Sequence, residues 1–208
     1  MSVERALLAV VLLLAGLAAG LALFWEPSVA FPADQPLVSA LPAGGDFVLD
    51  NGGQPVSPRD YRGKVVVLYF GYSYCPDICP TALQALAEGL RQLRPEELAR
   101  VQGLFVSVDP ERDTPAQLAA YTGFFHPSIL GATGTPAQVR DAAGRYDVVF
   151  RKVAGENPAT YSVDHSSLLY LIAADGHLAQ TLPHGVAGGV IADAVRQLLP
   201  QPPTGESK

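Results

Sequence analysis

The sequence predicts an α/β layer architecture built around a central sheet and preceded by one apolar segment long enough to cross a membrane. Val65–Phe70, VVVLYF, is an unbroken apolar run of strand length, the pattern of a strand buried on both faces in the middle of an α/β sheet. Further runs of this kind alternate with stretches of helical periodicity, and that alternation points to helices layered on a sheet. The chain of 208 residues suits one ordinary domain with a single core, since a domain of this size buries roughly 70% of the surface its unfolded chain exposes.

Ala6–Trp25 carries no charge; as a helix rising about 1.5 Å per residue it would span a hydrocarbon core of about 30 Å. Arg5 precedes it, Glu26 and Asp34 follow, and the next basic residue is Arg59. That bias keeps the N-terminus cytoplasmic and sends the rest of the chain to the outer, periplasmic side of a bacterial inner membrane. The segment reads as an uncleaved anchor; a signal peptide cleaved after Ser28-Val29-Ala30, before Phe31, is the competing reading. Residues 26–45 hold four prolines and read as a tether. The domain is expected over 46–200, with a polar tail at 201–208.

Phe47-Val48-Leu49, Asp50-Asn51-Gly52-Gly53 and Pro55-Val56 predict a hairpin, with Asn-Gly supplying the positive φ angles of its turn. After the Val65–Phe70 strand, Leu83, Leu86, Ala87, Leu90 and Leu93 recur at helical spacing, giving a helix from Pro80 to about Leu93. Leu104–Val108 is a second buried strand. Thr114-Pro115 and Thr135-Pro136 each set a capping hydroxyl before a proline at the first helical position, so each starts a helix. Val148–Lys152 and Ser166–Ala173 read as strands, the latter paired with Leu178–Leu182 across Asp175-Gly176. A last helix, Gly189–Leu199, is expected to bury Val190, Ile191, Ala194, Val195 and Leu198.

A formal charge of −6 and a pI near 5.1, with no cluster of Lys and Arg, exclude nucleic acid as a partner. The chemistry concentrates in the two cysteines, Cys75 and Cys79. They follow the central strand and open a helix, where unsatisfied N–H groups and the positive end of the macrodipole favour thiolate. A stapling disulfide removes little chain entropy from so short a loop. A redox dithiol fits an oxidising compartment and the strand–loop–helix position at which thioredoxin-like proteins hold theirs. A shared metal suits the wider Cys-x3-Cys bite. Of the four histidines, His126 and His184 read as loop residues, His177 as solvated, and His165 stands after Asp164 at the mouth of the apolar strand Ser166–Ala173. Two thiolates and one imidazole form a soft, low-coordinate set that suits Cu(I), whereas a closed zinc site wants a fourth ligand. Met1 is the only methionine, so a thioether copper site is ruled out.

Gly71-Tyr72-Ser73-Tyr74-Cys75-Pro76-Asp77-Ile78-Cys79-Pro80-Thr81 resembles the signature of the Sco/SenC family of copper-binding proteins. Val106–Pro115 is similar to that family's acidic loop, and Tyr161–Ser166 to its histidine segment. The resemblance implies a thioredoxin-like fold with an N-terminal β-hairpin and inserted elements, after one transmembrane helix. It also implies copper, as Cu(I) or Cu(II), held by Cys75, Cys79 and His165. The implied role is a copper chaperone for the dinuclear copper A centre of cytochrome c oxidase. Its partners would be the copper A subunit and other periplasmic copper chaperones or thiol reductants. A thiol-disulfide oxidoreductase using Cys75 and Cys79 to keep the oxidase cysteines reduced is the alternative; a thiol peroxidase lacks a marked peroxidatic cysteine. Ser73 and Tyr74 depart mildly from the family pattern. Asp77 and Asp164 flank the ligands and are candidates to orient the imidazole or neutralise the cation. Asp113 precedes a helix N-terminus, where an acid is expected without any function.

Overall fold

The computed structural model of the chain describes residues 7–8, 12–17, 20, 41–155 and 160–199. Its contacts divide the chain into two units, Met1–Ser39 and Ala40–Lys208. In the first, the described residues are helical, and the leucines at 7, 8, 12, 13, 14 and 17 are 59–72% exposed. Among the described residues no helix is long and apolar enough to cross a membrane. The rest of the expected span, the Ser28–Ala30 cleavage site, most of the tether and the 201–208 tail lie outside the described residues.

The second unit begins to pack at the end of the expected tether. The Gly44 amide donates to the Arg145 carbonyl at 2.8 Å, and the Tyr146 hydroxyl donates to the Gly45 carbonyl at 2.9 Å. Strands β1 (Leu49–Asn51) and β2 (Gln54–Val56) form the expected hairpin. Asn51 pairs with Gln54, so the two-residue loop is Gly52-Gly53, both at positive φ, rather than starting at Asn51. A primed turn needs positive φ at both central residues, and two glycines meet this without a Cβ clash.

Strand β3 (Val65–Gly71) is buried along its whole length. It is followed by helices α1 (Ile78–Arg91) and α2 (Pro95–Leu98), strand β4 (Val101–Ser107), helix α3 (Pro115–Phe125), strand β5 (Ile129–Ala132) and helix α4 (Pro136–Arg145). The chain closes with β6 (Phe150–Val153), β7 (Ser162–His165), β8 (Leu169–Ile172), β9 (Leu178–Leu182) and α5 (Gly188–Leu198). The main sheet runs β5-β4-β3-β8-β9. Its β3, β4 and β5 are parallel, and β8 and β9 join antiparallel. This is the expected α/β arrangement with the apolar run at its centre. The N-terminal hairpin covers the β5 edge through an Asp50–Thr133 pair of backbone bonds at 2.7 and 2.9 Å, which shields an otherwise open ladder.

Thr114 and Thr135 cap α3 and α4 as expected, each accepting from the backbone three residues on, with proline at the first position. Four details differ from the sequence reading. Helix α1 starts at Ile78, two residues before Pro80; proline in the first turn lacks only an N–H that has no helical partner anyway. Strand β5 was not expected, since four residues without alternation carry no period signal. Helix α5 buries Ala192 rather than Val190, which is 49% exposed. The stretch 162–173 is two strands, β7 and β8, in different sheets.

Candidate metal centre

The carboxyl ends of the parallel strands, where open α/β sheets place their ligands, hold the cysteine loop. Three separate devices fix it. Cys75 N–H donates to the Tyr72 carbonyl at 3.2 Å, closing a turn. Asp113, 1% exposed, accepts from Ser73 N–H at 3.0 Å, from the Ser73 hydroxyl at 2.5 Å and from the Ser107 hydroxyl at 2.6 Å. Gln117 donates to the same Ser73 hydroxyl at 3.1 Å. Asp113 therefore ties the loop to β4, a role the helix-terminus reading missed because its partners are remote in sequence.

The start of α1 is unusual. Asp77 stands at the N-cap without a side-chain cap; the Cys79 N–H instead points at the Cys75 sulfur, 3.5 Å away. A sulfur in the place of a capping oxygen meets both the orphan amides and the positive end of the helix. Cys75 is half-buried and Cys79 fully buried, and neither is in a disulfide. The hydrogen bond from the Cys79 thiol, which outweighs burial, holds the Cys75 thiol far below its ordinary range, to about 3, helped by the amides of Asp77 and Cys79. The same pairing with Cys75, together with burial, pushes Cys79 upward. The two sulfurs thus divide into an accessible thiolate and a buried thiol.

Gly71 makes room for the pair. A Cβ there would lie 2.7 Å from the Cys79 sulfur and 3.0 Å from the Phe105 ring, closer than atoms can pack.

His165 ends β7 and is not at the mouth of a longer strand as expected. Its Nδ1 donates to the Ser166 carbonyl at 2.8 Å, which assigns the proton to Nδ1 and leaves the Nε2 lone pair free. Nε2 lies 3.2 Å from the Cys79 sulfur. Tyr69 and Tyr72 stand edge-on to the imidazole, centroids 6.2 and 5.9 Å away at 84° and 88°. The ligand atoms of Cys75, Cys79 and His165 all lie within 4.8 Å of one another. An ion about 2.3 Å from each sulfur and about 2.0 Å from the nitrogen spans donors roughly 4 Å apart, so the set fits a three-coordinate metal with little movement.

The ribbon carrying His165 is held to the cysteine loop from the side. Val163 N–H donates to the Tyr72 hydroxyl at 3.3 Å, and the Tyr161 hydroxyl to the buried Asp109 at 2.7 Å. Arg112 donates to Asp109 at 2.5 Å and to the Tyr161 carbonyl at 2.9 Å. Its guanidinium lies 3.6 Å from the Tyr161 ring centroid and 4.8 Å from that of Tyr74, near enough for cation–π attraction. Arg112 and Asp109 were not singled out for this bridging; only the aromatic partners 40 to 50 positions away make it visible.

The flanking carboxylates are placed differently from the expectation. Strand alternation puts Asp164 on the face opposite His165, where it pairs with Arg151 at 3.0 Å. The imidazole's partner is a backbone carbonyl rather than a carboxylate. Asp77 is exposed, its backbone carbonyl and carboxylate both meeting the Thr81 hydroxyl. Both aspartates still line an open cleft of about 400 Å³ with Tyr72, Cys75, Ile78 and His165. The other histidines stay apart: His177 pairs with Asp175, buried His126 accepts locally from the Ser128 amide, and His184 is exposed.

A parallel-centred sheet with two cysteines at the carboxyl end of its middle strand, joined by one imidazole, defines a thioredoxin-like protein with a thiolate–imidazole centre. The SCO1/SenC family profile matches residues 37–200; the chain belongs to the SCO1/SenC family. It is 41% identical over 155 residues to the mitochondrial protein SCO2 homolog of Bos taurus, a match covering 74% of this chain and 58% of that protein. The chain thus matches little more than half the length of that relative. Bradyrhizobium japonicum ScoI with copper bound superposes with a TM-score of 0.69 at 35% identity, covering 76% of this chain and 99% of that one. Apo Sco1 of Thermus thermophilus gives 0.71 at 36% identity, covering 80% and 99%. The fold is the thioredoxin-like Sco fold.

Proposed function

We propose that this chain is a copper chaperone in the assembly of cytochrome c oxidase, holding copper through Cys75, Cys79 and His165 and passing it to the copper A subunit. The observation that carries this reading is the convergence of two sulfurs and one free imidazole nitrogen within 4.8 Å. A soft three-donor set favours Cu(I), and an open cleft beside Cys75 leaves room for an incoming thiolate. Copper moves by ligand exchange: an acceptor sulfur bonds to the ion as a donor sulfur leaves, with no change in oxidation state. In this reading 46–200 is the working domain on the outer face of a bacterial inner membrane. Residues 1–25 anchor it and 26–45 tether it; the exposed leucines of the N-terminal helix support an apolar surrounding for that segment.

The test is copper stoichiometry and affinity of the full-length reduced chain. One ion per chain is expected, with affinity falling at least a hundredfold, roughly, in His165→Ala; unchanged affinity and spectrum in that variant would sink the reading.

The split between the sulfurs favours a second reading, reduction of the oxidase cysteines. An accessible thiolate at Cys75 would attack the target disulfide, and buried Cys79 would then displace the reduced target, leaving Cys75–Cys79 as the disulfide. It predicts oxidase assembly that survives His165→Ala and is lost in Cys79→Ser, measured as oxidase activity in cells.

A further inference from the structure

Among the described residues, four buried polar side-chain atoms have no hydrogen-bond partner, and two are the phenol oxygens of Tyr69 and Tyr121. A buried hydroxyl without a partner is costly, and such atoms call for an explanation. Both phenols lie near enough to Cys79 to interact with it, but they differ in reach. Tyr69 lies in the middle strand and is fully buried. A Cβ at Gly71 would touch its ring at 3.1 Å and the Cys79 sulfur at 2.7 Å, so ring and sulfur share one small space. Its hydroxyl is close enough to that sulfur to interact with it, yet makes no hydrogen bond of proper geometry to it. A neutral thiol is a weak acceptor; a metal-bound thiolate is a strong one.

We propose that Tyr69 is a positioning residue of the metal centre: its hydroxyl, orphaned in the metal-free chain, donates to the Cys79 sulfur when copper is bound. This rests on the copper reading above. The bond would fix the direction of the sulfur lone pairs from beneath while the edge of the same ring supports His165, so one side chain orients two of the three ligands. Copper binding would also satisfy a donor that folding leaves unmet, which links metal affinity to Tyr69 without any direct contact to the ion.

Full-length wild type, Tyr69→Phe and Tyr121→Phe would be compared for Cu(I) affinity by chelator competition, for the sulfur-to-copper absorption of the Cu(II) form, and for metal-free stability in denaturant. Tyr69→Phe is expected to bind one copper with roughly tenfold lower affinity and a shifted absorption band. Its metal-free midpoint should equal or exceed that of wild type, because the orphan hydroxyl is gone. Tyr121→Phe should leave affinity and band unchanged. Wild-type affinity and band in Tyr69→Phe would overturn the inference while the copper reading stood. An equal loss in Tyr121→Phe, or a metal-free midpoint that falls in step with affinity, would assign the effect to general packing and overturn it too. A wild-type chain that binds no copper would remove the copper reading itself.

Discussion

Cys79 sits in the opening turn of one helix and Cys75 in the loop just before it, and both hang from the middle strand of the main sheet. The imidazole arrives on β6–β7, a two-stranded sheet that shares no ladder with it. On the cysteine side the fastening is a buried carboxylate with three donors at 2.5–3.0 Å. On the histidine side there is no ladder to the main sheet: the ribbon hangs on Val163 to the Tyr72 hydroxyl at 3.3 Å, the Tyr161 hydroxyl to Asp109 at 2.7 Å, and Arg112, which donates to the Tyr161 carbonyl at 2.9 Å and lies over its ring. The difference teaches that the sulfur pair is preorganised by the fold, whereas the third ligand is held by a separable ribbon. A ribbon outside the main sheet would suit the proposed release of copper, since local opening takes less than global unfolding.

Three measurements would break or sharpen this contrast. The largest effect is expected in the reactivity of Cys75. Its thiol sits far below the ordinary thiol value, and a lowered pKa means that thiolate persists as pH falls. Alkylation of the metal-free chain should therefore stay nearly flat from pH 8 to pH 5, while an ordinary thiol of pKa about 8.5 slows roughly 80-fold by pH 6. A slope of one log unit per pH unit at Cys75 would refute preorganisation. Next comes Asp113→Ala, which strands Ser73 and Ser107 and should cost about 3 kcal/mol of unfolding free energy in a denaturant titration. Smallest is Tyr72→Phe, which removes the acceptor for the Val163 amide. About 1 kcal/mol is expected, read as faster exchange of the Val163 amide with core amides unchanged. If core protection falls equally, the ribbon is not a separate unit.

Much of this was legible in the residues. Hydroxyl-proline pairs at 114–115 and 135–136 mark helix starts through local capping alone, and VVVLYF marks the central strand through composition. Cys75, Cys79 and His165 were singled out by position and by resemblance, and the chain brings them together. What stayed hidden depends on pairing between distant segments. Strand β7 is a strand only because β6 lies beside it, so His165 looked like the start of the next strand. Asp164 looked poised beside the imidazole because adjacency in sequence was taken for adjacency in space, which strand alternation reverses. Asp113 looked like an ordinary helix-terminal acid, since Ser73 and Ser107 come to it from other elements.

Gly71 carries a last consequence. Because the Cys79 sulfur occupies the space its missing side chain would fill, the distance between donor atoms is set partly by what β3 omits. A single methyl there, Gly71→Ala, would push that sulfur outward and alter the ion size and geometry the centre prefers while the same three residues remained its ligands. Metal choice in this scaffold is thus adjustable from the inside of the sheet, at a residue that never meets the ion.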